Sequence, residues 1–361
     1  MATTYRAILS VLALVLCTAR APAGVADSLR LYCVEHKIAG QILDFTHNHG
    51  SDNRVWSESL CQKRDLYVYL PPCYDPAKKY PVIFLFHGFA QDERMLLLIA
   101  SSIDAKIQDG CLPPTIVVSI DGTISGDLGL FSEESFYVNS KAGRFEDYVM
   151  CDVWNWAHAN FSIRPEREAH VFAGASMGGG AAFNLGLKHR DRVAVAAGIF
   201  PPLNIRWLDC HGNYFGKFDP CCWGWREKVD RRREMVARFA LGLIRIPIGR
   251  LVTPVFGFDG ETVRQMSREN PIEQLDRYGV KDGELAMYVA YAGHDEFNLD
   301  AQAESFLYMA KERGIHVDCA FDRWGHHNQR TAFRMLPATL DWIGQQLARL
   351  NCEEGSMKFA K

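Results

Sequence analysis

The chain has 361 residues, of which 48% are hydrophobic and 23% are charged, and its formal net charge is −3. This composition is ordinary for a globular protein and excludes a disordered, collagen-like or coiled-coil chain. The length is sufficient for one large domain with a proper hydrophobic core, or for two small domains. The net charge does not favour nucleic acid as a partner, because surfaces that bind nucleic acid are usually clearly basic.

Residues 1–26 have the features of a secretory signal peptide. The apolar run Ala7–Cys17 follows the basic residue Arg6 and precedes small residues with candidate cleavage sites after Ala23 and Ala26. The run is too short for a comfortable membrane span. We therefore expect a secreted or periplasmic protein that has no stable membrane insertion after the signal peptide is cleaved.

Ten cysteines follow the predicted cleavage site. An even and high cysteine count in an exported chain indicates disulfide bonds. Cys221 and Cys222 are adjacent, so at most one of them pairs easily with Cys210, and the spacing gives no further connectivity. No cysteine or histidine spacing is typical of a zinc site, and we predict neither a metal nor a cofactor.

Strand patterns alternate with helical patterns along most of the chain. The run Pro81–Gly88 is continuously apolar, as expected for a strand that is buried on both faces of a parallel sheet. Alternating strands and helices predict an α/β fold with a mostly parallel central sheet and helices on both faces. In chain order the predicted elements are strand Asp65–Pro72, strand Pro81–Gly88, helix Glu93–Gln108, strand Thr115–Ile120, helix Arg144–Phe161, strand His170–Ala175, helix Ala181–Arg190, strand Val193–Phe200, strand Leu285–Ala292, helix Asp300–Arg313, strand His316–Arg323 and helix Gln329–Leu350, interrupted near Pro337.

We predict that residues 27–361 form a single domain with two additions. Residues 27–60 form an N-terminal extension that adds edge strands. Residues 201–275, rich in Trp, Cys, Pro and Arg, break the alternation and form an insertion over the active-site edge of the sheet. The charged run Arg226–Phe239 within the insertion is predicted to be a solvated helix surface rather than a binding patch.

A Gly-x-Ser-x-Gly sequence connects a predicted strand to a predicted helix at Gly174-Ala175-Ser176-Met177-Gly178. This context is typical of a nucleophile elbow, in which glycines allow the strand, the strained turn and the helix to approach closely. The bare pattern also occurs by chance in a Gly-rich chain. The alternative is a Gly-rich connection from strand to helix that binds a phosphate group or has no ligand. The flanking strand and helix favour the elbow, with Ser176 as the nucleophile.

The sequence His87-Gly88-Phe89-Ala90 closes the buried strand PVIFLF. In a fold with a nucleophile elbow, the loop after this strand supplies one backbone N–H to the oxyanion hole, and the residue after the nucleophile supplies the other. We predict Phe89 and Met177 as these donors. The side chain of His87 is predicted to order the loop through hydrogen bonds.

Candidates for the acid and the base follow the ends of two later strands, in the chain order that such a triad requires. Asp295 and Glu296 both follow strand LAMYVAYA, where either could instead cap the next helix. Asp295 is favoured, with Glu296 as the alternate. His326 and His327 follow the next strand; we predict that His326 takes the proton of Ser176, with His327 as the alternate.

At these residues the sequence resembles an esterase family of the α/β-hydrolase superfamily. That family includes esterase D (S-formylglutathione hydrolase), feruloyl esterases, acetyl xylan esterases and the mycolyltransferase antigens. The resemblance covers Leu60 to Leu350, and the segments that carry it are RDLYVYLPPCYDPAKKYPVIFLFHG, RFEDYV, GASMGG, GHDEFN and WGHHN. It implies that the Asp of GHDEFN and the first His of WGHHN are catalytic, which supports Asp295 and His326. It also implies the two oxyanion donors already named.

The resemblance implies a serine esterase that works through an acyl-enzyme intermediate on acylated polysaccharide or small esters. Tyr137, Asn139 and Trp324 are candidates to contact the substrate, although aromatic residues more often belong to the core. Three alternatives stay open: an acyltransferase of the mycolyltransferase type, a serine peptidase, and a non-catalytic binding protein on a hydrolase scaffold.

Overall fold

The structure is a computed structural model that describes residues 23–126, 133–230, 234–239 and 242–358. Residues 1–22 of the predicted signal peptide lie outside the described residues. No helix in the described ranges is both long and apolar enough to cross a membrane. The strands are β1 (Gln41–Phe45), β2 (Val55–Ser57), β3 (Gln62–Arg64), β4 (Leu66–Leu70), β5 (Val82–Phe86), β6 (Ile116–Ile120), β7 (Asn139–Ser140), β8 (Gly143–Arg144), β9 (His170–Ala175), β10 (Val195–Ile199), β11 (Trp207–Asp209), β12 (Trp223–Trp225), β13 (Met235–Phe239), β14 (Ile244–Pro247), β15 (Ala286–His294) and β16 (Asp318–His326).

Helices connect most of the strands of the central sheet. They are α1 (Ala23–Glu35), α2 (Met95–Gln108), α3 (Phe145–Asp147), α4 (Trp154–Asn160), α5 (Met177–Lys188), α6 (Ile248–Phe256), α7 (Thr262–Arg268), α8 (Pro271–Arg277), α9 (Leu299–Glu312) and α10 (Gln329–Lys358). A π-helical turn, Tyr148–Val153, joins α3 to α4.

Eight strands form the central sheet in the order β1-β4-β6-β5-β9-β10-β15-β16. From β6 to β16 the neighbouring strands pair in parallel, whereas β4 pairs antiparallel with both β1 and β6. The predicted mostly parallel sheet is therefore confirmed. Residues of the predicted N-terminal extension form the edge strand β1 and most of helix α1, which begins at Ala23 within the predicted signal peptide.

The central strands are buried on both faces of the sheet. In β5, Ile83 and Leu85 belong to the core cluster that contains apolar residues of α2 and α10. Phe84 and Phe86 belong to the opposite cluster, which includes Trp154 of α4. Because successive side chains of a strand point to opposite faces, only a continuous apolar run satisfies both cores.

The insertion contains the hairpins β11–β12 and β13–β14 and helices α6 to α8. It contacts the turn after β15, because the backbone N–H of Arg238 donates to the Glu296 carbonyl at 2.9 Å. The prediction of a solvated helix over Arg226–Phe239 is wrong. Met235–Phe239 forms strand β13, and Arg226 is buried, with its Nε 2.9 Å from a carboxylate oxygen of Glu234.

Helix α10 runs through Pro337, so the predicted interruption there is wrong. Proline removes the hydrogen bond to the carbonyl four residues earlier, which belongs to Phe333. Phe333 is an exposed residue, where water can satisfy the freed carbonyl.

The connection from β9 to α5 depends on two glycines that have no room for a side chain. Ser176 between them has φ 54° and ψ −122°, a strained conformation for a residue with a side chain. A Cβ on Gly178 would lie 2.0 Å from the carbonyl oxygen of Phe86, and one on Gly174 would lie 2.5 Å from the carbonyl carbon of Gly178. The first turn of α5 therefore crosses the end of β5 at backbone contact.

Substituting Gly178 by alanine tests this crossing. We expect Gly178→Ala to destabilise the fold by about 4 kcal/mol or more, because the strand and the helix must separate. Gly186→Ala in the same helix is the matched control, since its Cβ would lie no closer than 3.3 Å to another atom. Its unfolding free energy should change by about 1 kcal/mol or less. If urea unfolding shows that the two substitutions lower the unfolding free energy equally, the backbone contact of Gly178 with Phe86 is contradicted.

Candidate active site

Three side chains from three turns form a continuous chain of hydrogen bonds. His327 Nε2 lies 2.9 Å from Ser176 Oγ, and His327 Nδ1 lies 2.8 Å from Asp295 Oδ2. A carboxylate can only accept, so Nδ1–H donates to Asp295 and Nε2 of the neutral ring accepts from the serine hydroxyl. The elbow itself is anchored because the Ser176 N–H donates to the Ile199 carbonyl of β10 at 2.7 Å.

A second acid–histidine pair lies beside the first but does not reach the serine. His326 Nδ1 donates to Glu296 Oε1 at 2.9 Å, and the His327 backbone N–H donates to Glu296 Oε2 at 2.8 Å. The prediction that His326 contacts Ser176 is therefore wrong, and the alternate His327 takes that place. The predicted acid, Asp295, is the one that bonds to this histidine.

The register of the edge strand determines which histidine faces the serine. Between the pairs Ala292–Asp322 and His294–His326, β15 advances by two residues and β16 by four. This irregularity is a bulge, which re-aims the side chains that follow it. The His326 side chain is left 53% exposed, whereas that of His327 is 13% exposed.

Opposing influences act on the pKa of His327. Burial lowers it, but the charge of Asp295, its hydrogen bond and the charge of Glu296 outweigh burial and raise the pKa above its ordinary value of 6.5. The ring also lies against the rings of Phe297 and Phe200, at centroid distances of 4.7 and 5.1 Å. These contacts keep His327 basic and hold it in one orientation.

The turn after β15 fixes the orientation of Asp295. Its Oδ1 accepts the backbone N–H of Phe297 at 2.8 Å, and its carbonyl accepts the N–H of Asn298 at 3.1 Å. The Asp295 side chain is only 1% exposed. One carboxylate oxygen is therefore held by the turn and the other is directed to His327.

Buried side chains hold the loop after β5 against the serine. The Gly122 N–H donates to His87 Nε2 at 2.8 Å, which leaves Nδ1 of the neutral ring to donate to the Gly88 carbonyl at 2.9 Å. Burial lowers the pKa of His87, in agreement with a neutral ring. The prediction that His87 orders the loop is confirmed. A Cβ built on Gly88 would lie 3.5 Å from the Ser176 Cβ, so the loop passes directly beside the nucleophile.

Glu134 supports the same loop and was not found by sequence reasoning. Its Oε1 accepts the Ala90 N–H at 3.1 Å, and Ala90 has a φ of 59°. The carboxyl is buried, and burial, followed by the charge of Asp121, raises the pKa of Glu134 to about 9. Glu134 has no sequence signal, because it lies in the long connection between β6 and β7, outside every recognised motif.

The predicted oxyanion donors lie in the loop after β5 and at the first residue of α5. Gln91 Oε1 accepts the Gly88 N–H, while no hydrogen bond among the described residues uses the N–H of Phe89. Met177 is the first residue of α5, and the first N–H groups of a helix have no partner within the helix. Both N–H groups are therefore available for a ligand oxygen.

The three candidate substrate contacts differ in their positions. Tyr137 is fully buried; its hydroxyl accepts the His87 N–H and donates to the Ile120 carbonyl, so the prediction that it contacts substrate is wrong. The side-chain oxygen of Asn139 accepts a hydrogen bond from the backbone N–H of Asp147, eight residues later in the chain. Trp324 is 70% exposed and its ring stacks on His294.

This arrangement is suited to nucleophilic catalysis. A serine hydroxyl within hydrogen-bonding distance of a histidine that is itself oriented by a carboxylate can be deprotonated as it attacks. The strained backbone of Ser176 and the nearby unpaired N–H groups provide the other parts that acyl transfer requires.

The sequence matches the family described as "Putative esterase" over residues 57–333. Among curated proteins, the chain is 30% identical over 146 residues to an endo-1,4-beta-xylanase/feruloyl esterase of Xylanibacter ruminicola, covering 37% of this chain and 19% of that protein. It is 28% identical over 173 residues to esterase Rv1288 of Mycobacterium tuberculosis, covering 46% of this chain and 36% of that one. The chain thus spans only about a fifth to a third of the lengths of these two relatives.

Solved structures with a similar fold cover nearly the whole described chain. A ferulic acid esterase has a TM-score of 0.62 at 16% identity, covering 86% of this chain and 99% of that one. An S-formylglutathione hydrolase from Agrobacterium tumefaciens has a TM-score of 0.56 at 14% identity, covering 86% and 96%. At these identities the structures establish the α/β-hydrolase fold predicted from the sequence.

Replacing Glu134 by glutamine should stabilise the protein in a pH-dependent way. The native carboxyl keeps its proton up to about pH 9, whereas the unfolded one loses it near 4.5. Over this interval the unfolded state binds fewer protons, so native stability falls as pH rises, by at most about 1.4 kcal/mol per pH unit. Glutamine keeps the acceptor for Ala90 without this penalty.

Thermal unfolding of wild type and Glu134→Gln at several pH values measures the effect. The advantage of the variant should be small at about pH 5 and larger at about pH 8. Glu133→Gln, at the exposed neighbouring position, is the matched control and should show no such pH-dependent gain. A difference that stays constant with pH would show that Glu134 is ionised in the native state.

Proposed function

The chain belongs to the Putative esterase family, and from this membership and the geometry of its site we propose that it hydrolyses carboxylic esters. Ser176 is the nucleophile, His327 the general base and acid, and Asp295 the carboxylate that orients the histidine. The observation that carries this proposal is the unbroken chain of hydrogen bonds from Ser176 Oγ through His327 to Asp295. The proposal revises the sequence-based choice of His326.

The reaction proceeds in two half-reactions. Ser176 Oγ attacks the ester carbonyl carbon while its proton passes to His327 Nε2. The tetrahedral intermediate collapses, His327 gives the proton to the departing alkoxide oxygen, and the acyl group stays on the serine. Water then attacks the acyl-enzyme with His327 as base, which releases the acid and restores the hydroxyl. Asp295 stabilises the imidazolium that forms in each step.

The N–H groups of Phe89 and Met177 bind the oxyanion in this proposal. Both flank Ser176 and neither has a hydrogen-bond partner within the described protein or its own helix. Preorganised backbone donors of this kind are worth about 3 kcal/mol each to the transition state. Glu134 and His87 act as positioning residues, because they hold the loop that carries the Phe89 N–H.

The leaving alcohol lies on the side of His327, since this residue must protonate it. Trp324 is our candidate for contact on that side. Its exposed ring stacks on His294, which in turn stacks on His326, the neighbour of the base, at centroid distances of 5.8 and 5.6 Å. Such a row of exposed flat rings can bind the face of a sugar or an aromatic alcohol.

The relatives suggest which esters to test first. They include proteins named feruloyl esterase, ferulic acid esterase and S-formylglutathione hydrolase. We propose an ester of an aromatic or short acyl group, carried on a polysaccharide or a small alcohol, as the substrate of an exported enzyme. The predicted signal peptide supports export.

Turnover of a nitrophenyl ester series, methyl ferulate and S-formylglutathione tests the function. Wild type should hydrolyse at least one of these esters, and Ser176→Ala and His327→Ala should each lower kcat by about 10⁴-fold or more. Asp295→Asn should lower it by about 10⁴-fold, because the histidine loses its orientation. Added methanol distinguishes an acyltransferase, which would form the methyl ester instead of the acid.

The neighbouring residues provide matched controls. His326→Ala and Glu296→Gln alter the second acid–histidine pair, which does not touch Ser176, and should retain activity within about tenfold of wild type. Full activity in His327→Ala with loss in His326→Ala would overturn the assignment. The absence of any Ser176-dependent turnover across the series would overturn the proposed function.

A further inference from the structure

One loop of the insertion forms hydrogen bonds with the turn that carries the catalytic carboxylate. The Tyr214 hydroxyl donates to the Phe297 carbonyl at 2.8 Å and accepts from Gln302 Nε2 at 2.9 Å. The Asn298 side-chain amide donates to the Tyr214 carbonyl at 2.8 Å. These contacts reach the backbone of the turn two residues after Asp295. The loop, residues 211–221, is therefore positioned to influence the orientation of the catalytic acid.

Further contacts place Tyr214 firmly in this position. The residue is partly buried against the insertion's apolar cluster, and Trp207 Nε1 of β11 donates to its carbonyl at 3.0 Å. The guanidinium of Arg226 lies over the Tyr214 ring, 5.2 Å from its centroid. Each of these contacts depends on the path that the loop follows from the end of β11 to the start of β12.

Two cysteines lie where this loop begins and ends. The hairpin pairs Trp207 with Trp225 and ends with the pair Asp209–Trp223. Cys210 and Cys222 are the residues that directly adjoin this last pair. Both cysteines are exposed free thiols in this structure, and they lie close enough for a side-chain hydrogen bond, which raises the pKa of the Cys222 thiol. The last ladder pair holds the two chain segments together next to the cysteines, and a disulfide spans Cα atoms about 4.4–6.8 Å apart.

We propose that Cys210 and Cys222 form a disulfide that closes the 211–221 loop and thereby fixes the contact between Tyr214 and the acid turn. The covalent link is independent of the enzyme activity, whereas its effect on turnover rests on the proposed function. Cys222 rather than Cys221 is the partner, because Cys222 directly precedes β12 and its thiol is the one in contact with the Cys210 thiol. This contact therefore selects one of two adjacent cysteines that the sequence leaves equivalent.

The bond forms by thiol–disulfide exchange with an oxidised small disulfide such as glutathione disulfide. A Cys210 thiolate attacks one sulfur of the oxidant and expels one glutathione thiolate, which leaves a mixed disulfide. The Cys222 thiolate then attacks the Cys210 sulfur and expels the second glutathione. The two protein thiols lose two protons and two electrons in all, and one glutathione disulfide becomes two glutathiones.

Peptide mapping without reduction tests the link directly. The full-length protein, equilibrated in a buffer of reduced and oxidised glutathione, should give a cross-linked peptide pair containing residues 210 and 222. Cys221→Ser is the matched control and should retain the pair, whereas Cys222→Ser should lose it. Free thiols at both positions in the wild-type protein, or a dominant bond from Cys210 to Cys221, would overturn the inference. The wild-type measurement is sufficient for this decision.

Kinetics test the consequence of the link. Reduction of wild type should lower kcat by about tenfold with little change in KM, because a loosened turn misorients Asp295 without altering substrate contacts. Cys222→Ser should behave as the reduced protein and not respond to reductant, and Cys221→Ser should behave as wild type. Tyr214→Phe should lower kcat although the cross-link is intact. If kcat is unaffected by reduction, the loop does not act through Asp295.

The two proposals fail separately. A protein without esterase activity would overturn the proposed function, and peptide mapping would still decide the disulfide. An active esterase in which Cys210 and Cys222 stay reduced would overturn the disulfide and leave the proposed function intact.

Discussion

The backbone contact between the first turn of α5 and the end of β5 is the constraint on which the site depends. Gly178 lies so near the Phe86 carbonyl that any side chain would force the helix away. This approach drives Ser176 into a positive φ and directs its hydroxyl out of the sheet. It also places the start of α5 and the loop after β5 next to Ser176. The nucleophile and its surrounding donors are thus consequences of one close packing of strand and helix.

Much of this could be predicted from the sequence because the determining features are local. The buried strand before His87 and the elbow at Ser176 each carry a pattern within a few residues. The choice between His326 and His327 is different, because His326 ends β16 and His327 begins the turn that follows it. A bulge in the pairing of β16 with β15 determines which of the two side chains is directed to Ser176. A bulge depends on the partner strand, which is remote in sequence. The resemblance to the family favoured the first histidine, His326, whereas the structure places His327 at Ser176.

Other features were missed because they depend on contacts that are remote in sequence. Glu134 meets Ala90 across 44 positions and Tyr214 meets Phe297 across 83. The charged run after Arg226 was mistaken for a solvated helix because composition does not reveal that Arg226 packs against Tyr214. Together these contacts show the insertion as part of the support for the acid turn rather than a separate lid. The hydrolase core supplies the reacting groups, and residues outside the motifs hold them in place.

The most direct test of the central claim is the rate at which a fluorophosphonate probe modifies Ser176, mapped by mass spectrometry as a function of pH. The account predicts a single adduct on Ser176, with a rate that rises as His327 loses its proton at a pH above the ordinary 6.5, since Asp295 raises the pKa of this histidine. His326→Ala should label like the wild type and His327→Ala should scarcely label. Rapid labelling of Ser176 in His327→Ala, with loss in His326→Ala, would contradict the account.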